Sequence, residues 1–157
     1  MKILITGFLI LSFLTCNKKV NSKFELSNVL EQNKKVNIYQ LIFDSRNDSN
    51  DTVFSDGYSI KNKIEINADQ IRKLSNLLSD SSNYLFDKSK NCVLIASYGI
   101  KISSDSLGRY TVLIGDDPCK KMVILNEDKN SELIYDLSDN NSINNFFHSL
   151  FIKKDSL

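Results

Sequence analysis

His148 is the only histidine in the 157-residue chain, so any mechanism that needs an imidazole must run through it. It stands in a run where Ile143, Phe146, Phe147, Leu150 and Phe151 recur at i, i+3, i+4, i+7 and i+8. That spacing predicts a helix and puts His148 ~130° round from the centre of the Ile143/Phe147/Phe151 stripe, toward solvent or the edge of a partner. No Gly-x-Ser-x-Gly, His-Glu-x-x-His or Cys-x-x-Cys pattern accompanies it, so a surface histidine fits better than a catalytic base. Asp116 and Asp117 could pair as acid and base. Adjacent residues in a turn usually diverge, however, and Lys120 and Lys121 can neutralise them locally. Asp44, Asp48, Asp51 and Asp56 share one loop with Asn47 and Asn50, a set of hard oxygen ligands of the kind calcium takes. The EF-hand register fails: counted from Asp48, the sixth position is Val53 rather than Gly and the twelfth is Ser59 rather than Glu. A solvated connection between strands fits that loop better. No phosphate loop, dinucleotide fingerprint or metal-ligand cluster is visible, and no catalytic residue, metal site or cofactor is expected.

Cys92 and Cys119 invite a disulfide if the chain is exported, with two buried free thiols as the other reading. The bridge has a geometric condition. If both cysteines sat on strands flanking a middle one, two strand spacings would separate them by ~9–10 Å. Bridged Cα atoms lie only ~4.4–6.8 Å apart. The middle strand must therefore stop short, so that the Gly115–Pro118 turn folds Cys119 over its end.

The elements that would position these residues follow from periodicity. Val36–Phe43 (VNIYQLIF) is β-branched and aromatic on both sides, which predicts a central strand. Tyr58–Ile66 (YSIKNKIEI) alternates, as a half-buried strand should. Asn67 with Gln70 makes a variant of the capping box, and Ile71, Leu74, Leu77 and Leu78 form a stripe, predicting a helix over 67–79. Residues 92–137 read as an antiparallel meander, broken by turns at 103–108, 115–118 and 126–130; its last member, Glu132–Leu137, could be a strand or a short helix. A second amphipathic helix is expected over 142–152, with Asn141 or Ser142 as its cap. Phe24–Glu31 has a loose helical spacing, enough for one or two turns. The expected fold is α+β: an antiparallel sheet of about five or six strands with the two amphipathic helices on one face.

The N-terminal stretch sets the location. Lys2 precedes an almost unbroken apolar run, Ile3–Thr15, which ends at Cys16 and turns polar at once with Asn17, Lys18 and Lys19. Thirteen residues suit the h-region of a signal peptide, whereas a membrane-spanning helix needs ~20. Phe13-Leu14-Thr15-Cys16 resembles the lipobox of bacterial lipoproteins, with Phe13 and Thr15 where the usual pattern has Leu and a very small residue. The resemblance implies cleavage of residues 1–15 as a signal peptide, lipidation of Cys16 by palmitate-type acyl chains, a tether over 16–23 and a single globular domain over 24–157. Several acyl chains hold a protein to a bilayer durably, at ~0.8 kcal/mol per buried methylene. The other reading is an ordinary secretory signal with an incidental cysteine. In overall size, too, the chain resembles the small lipoproteins of bacterial envelopes.

Loss of residues 1–15 removes Lys2 and balances the basic and acidic side chains, which number 20 and 19 in the whole chain. That balance leaves no global field to recruit nucleic acid. The expectation is thus a lipid-anchored protein of the bacterial cell envelope, a non-catalytic binding, interaction or inhibitor module, whose partners are the membrane and an envelope component. The competing classes are a small acid/base hydrolase using aspartate pairs and a calcium-dependent adhesion module.

Overall fold

A computed structural model describes residues 26–43, 53–55, 57–86 and 90–152. Cys16, the lipobox and the aspartates of the 44–56 loop lie outside the described residues. One antiparallel sheet of eight strands runs through the molecule: β1 (Val36–Phe43), β2 (Val53–Ser55), β3 (Tyr58–Ile66), β4 (Tyr84–Leu85), β5 (Ala96–Ser104), β6 (Gly108–Gly115), β7 (Lys121–Asn126) and β8 (Ser131–Leu137). Their order across the sheet is β2-β3-β1-β5-β6-β7-β8-β4. Three helices accompany it: α1 (residues 26–32), α2 (Ala68–Ser79) and α3 (Ser142–Ile152).

The α+β class, the meander β5–β8 and the spans of α2 and α3 are as the sequence predicts. The strand count is corrected from five or six to eight, and the helix count from two to three. The extra strands are too short to show a period: β2 is three residues inside a polar loop and β4 is two. Both gain their hydrogen bonds only by lying against a longer neighbour, β2 on β3 and β4 on β8. Glu132–Leu137 resolves as a strand in register with β7, Val123 opposite Ile134.

All three helices pack on one face of the sheet. Leu26, Val29 and Leu30 of α1, Ile71, Leu74 and Leu78 of α2, and Ile143, Phe147 and Phe151 of α3 join Val36, Ile38, Ile66, Ile100, Val112 and Ile124 in one core. The two-sided apolar character of β1 follows from its position between β3 and β5. Val36 and Ile38 enter the helix-side core, and Leu41 enters a smaller cluster on the other face with Phe54, Ala96, Leu113 and Val123. Simple alternation lets β1 feed both, whereas on β3 the pairing skips Lys61, and this bulge puts Ile64 and Ile66 in the helix-side core but Tyr58 and Ile60 in the other cluster. The tip of the Phe54 ring fills the space beside Gly99, where an added Cβ would collide with its Cζ and Cε1.

The capping box of α2 forms as expected: Asn67 Oδ1 accepts from Gln70 N at 3.1 Å, and Gln70 Oε1 accepts from Asn67 N at 3.0 Å. At α3 the first helical N–H, from Ser142, is met by Asn140 Oδ1 at 3.0 Å rather than by Asn141 or Ser142. Asn141 instead takes a left-handed φ of 58°, a conformation asparagine tolerates better than most residues, and this turns the chain into the helix. No described helix is long and apolar enough to cross a membrane.

Candidate functional site

A polar cluster lies where α3 meets the end of β6. Asn144, buried on the first turns of α3, donates from Nδ2 to Gly115 O at 3.0 Å and to Asp116 Oδ1 at 3.2 Å. One helical turn on, His148 places Nε2 2.6 Å from Asp116 Oδ2. The i, i+4 spacing of Asn144 and His148 thus grips one carboxylate from two rungs of the helix. Asp116 Oδ1 also accepts from Asp117 N at 2.9 Å. On the other side of the imidazole, Nδ1 lies 3.0 Å from the Tyr98 hydroxyl. Tyr98 comes from β5 and is held by stacking on Phe147 and Phe151 of α3, with ring centres 5.3 and 5.8 Å away.

Burial pushes the Tyr98 hydroxyl up to about 12, and the Asp116 charge adds to that shift. Tyr98 is therefore a neutral donor near neutral pH. With the imidazole neutral, Tyr98 O–H donates to Nδ1 and Nε2–H donates to Asp116, so neither ring nitrogen is left over. A general base must present a lone pair to the proton it removes. Hydroxyl, imidazole and carboxylate stand in the order of a catalytic triad, but the hydroxyl here belongs to a buried phenol stacked on Phe147 and Phe151 and held neutral. The cluster links α3, β5 and the β6–β7 turn.

Asp116 and Asp117 diverge, as adjacent turn residues do. Asp117 turns away to Lys120, 3.1 Å distant, across a cis Asp117–Pro118 peptide. The half-exposed His148 sits at the edge that helical spacing places it on. Its tie to Tyr98 and Asp116 was not legible in the sequence, because the three residues come from separate elements and no local motif links them.

Cys92 and Cys119 are bonded, with Cα atoms 5.9 Å apart. The geometric condition is met as required. The β5–β6 ladder ends at Ala96 opposite Gly115, so both cysteines lie beyond it. At Gly115 a Cβ would stand 2.5 Å from Leu94 Cδ1 and 2.6 Å from Cys119 O, so only glycine lets the chain cross there. Lys121 Nζ adds a 2.9 Å bond to Cys92 O, fixing the 92–95 segment from a second side.

The opposite end of the sheet carries a polar groove of about 380 Å³ lined by Gln32, Asn33 and Ser103–Ser106. Among the described residues no group of three or more His, Cys, Asp or Glu is placed to hold a metal ion. The features together define an α+β domain with its helices on one face and a disulfide-stapled end. Compared with family models, curated proteins and solved structures, the chain matches none.

Proposed function

We propose that this protein is exported and held to a membrane of the bacterial cell envelope by acyl chains on Cys16, and that its domain acts by binding rather than by catalysis. The observation that carries the binding reading is the burial of Tyr98, the hydroxyl that the one imidazole faces. Tyr98 is covered by Phe147 and Phe151, so a substrate has no path to the hydroxyl that His148 could activate. The Cys92–Cys119 bond supports export, since disulfides persist in oxidising compartments. The apolar run Ile3–Thr15 ending at Cys16 supports the lipid anchor. The sheet face without helices supplies a surface for an envelope partner. On that face Ile134 of β8 is half exposed, beside the buried Leu113 and Val123 of β6 and β7.

The test is the mass of the protein extracted from its host membranes, intact and reduced. The proposal expects a chain that starts at Cys16, carries acyl mass there, and gains two hydrogens on reduction. A chain that keeps residues 1–15, or an unacylated Cys16, overturns the anchor. Site-specific photocrosslinking from position 134 in living cells is expected to trap one envelope component; an Ile134→Asp variant should lose it. Failure to trap any component overturns the binding reading.

A further inference from the structure

We infer that one end of the sheet is a lipid-contacting face that seats the domain on the bilayer. The inference rests on the lipid-anchor reading above and adds to it an orientation and a second membrane contact. At this end β1 and β6 finish and β3, β5 and β7 begin, as the registers Phe43↔Tyr58, Ala96↔Gly115 and Ile114↔Met122 require. It carries Ile42, Phe43, Val53, Val93 and Ile95, all exposed, Val93 to 83%. Tyr58 joins the two halves of the set. Its ring meets Phe43 edge-on at 5.5 Å, and its hydroxyl accepts from Ala96 N at 3.1 Å and donates to Leu94 O at 3.4 Å. The disulfide and the Lys121–Cys92 bond hold Val93 and Ile95 outward on a stapled segment.

The occupant follows from where the chain enters the domain. α1 runs antiparallel to α2: Ser27 bonds to Ser79 at 2.8 Å and Glu31 to Ser75 at 2.6 Å. Its C-terminal end reaches the β5–β6 hairpin, where Gln32 accepts from Ser104 at 2.8 Å. Its first described residue, Leu26, therefore lies beside the end of α2, which passes into β4 against Leu137 of β8. That is the apolar end. The ten residues from Cys16 to Glu25 span at most ~36 Å fully extended, and they join the domain on the side of this end, so an anchored Cys16 reaches it by the shortest path. The far end, with Gln32, Ser104, Asp105 and Ser106, is polar and would face water.

Charge does not drive this contact. Lys120 pairs with Asp117 at 3.1 Å, Lys90 with Asp139 at 3.2 Å and Lys121 with Asp136 at 3.8 Å, so among the described residues these three lysines at this end are met by carboxylates. The expected occupant is the apolar–polar boundary of a zwitterionic bilayer, in which exposed aromatic and aliphatic side chains bury without counter-charge.

The chain has no tryptophan, so a single introduced one reports alone. The full-length chain, purified from host membranes as Val93→Trp or Ile134→Trp, is placed in phosphatidylcholine nanodiscs whose acyl chains are brominated. Loss of emission is expected for Val93→Trp, equal at low and high salt, and none for Ile134→Trp on the helix-free sheet face. Matching melting curves for both variants and the parent check that each is folded. Unquenched Val93→Trp in a protein whose mass shows acylated Cys16 overturns the lipid-contacting face and leaves the anchor standing. If Cys16 proves unacylated, the anchor fails, and the same quenching measurement on added nanodiscs still decides the face. Quenching of both positions alike overturns the orientation.

Discussion

Tyr98 shows how burial and a nearby charge make one side chain depend on pH. Its hydroxyl ionises near ~10 in an unfolded chain and at about 12 in the fold. The folded state thus favours the neutral form, and the stability this contributes is fully present below pH ~10 and is lost as pH rises from there through the folded value. Melting temperature should fall over that alkaline window, and less steeply in Tyr98→Phe; equal slopes in the two proteins would contradict the assignment. Tyr84, buried with its hydroxyl donating to Leu78 O at 2.7 Å, is shifted upward too and adds to the same window in both proteins. At His148, truncation to Ala leaves Tyr98 O–H without its acceptor and Asp116 without one of its donors. A loss of about 1–2 kcal/mol by urea unfolding is expected, and no change would show the clasp to be incidental.

The helices and strands respond to local rules where those rules are strong. Asn67 and Gln70 satisfy two backbone donors reciprocally, so Asn67→Ala should cost about 1 kcal/mol in thermal or chemical unfolding. The same position is solvent-facing, so a Gly there should recover most of the loss. Gly99 belongs to a different class. Nothing in its neighbouring residues marks it, yet the Phe54 ring occupies the space a Cβ would need. Gly99→Ala is expected to destabilise by about 1–3 kcal/mol through forced displacement of Phe54, and a Phe54→Leu, Gly99→Ala double variant should recover part of that. Additive losses in the cycle would place the strain elsewhere.

At the scale of the whole molecule, the disulfide closes a loop between residues 27 apart in sequence. By chain entropy it is expected to stabilise the domain by about 3–4 kcal/mol, measured as the drop in unfolding free energy when Cys92 and Cys119 are both replaced by Ser. It also shapes the apolar end, because the 92–95 segment is held by the bond together with Lys121 on Cys92 O and Tyr58 on Leu94 O. Loss of the bridge should therefore weaken Val93→Trp quenching before the sheet itself unfolds.

Several features of this protein are written along the chain alone. The alternation of Tyr58–Ile66, the stripes of α2 and α3 and the Asn67/Gln70 box need only neighbours three or four residues away, so α2, α3 and the long strands were legible. So was the condition on the disulfide, because strand spacing is a constant. The folded molecule settled the rest. β2 and β4 have too few residues to carry a period and exist because longer strands offer them an edge. The Tyr98–His148–Asp116 clasp draws on β5, α3 and a turn, and its three residues carry no mutual spacing that periodicity could detect. Local hydrogen bonding and amphipathicity act over a few residues and leave a trace in sequence. Clasps, edges and exposed ends arise from which elements pack together, and that is decided only when the whole sheet has formed.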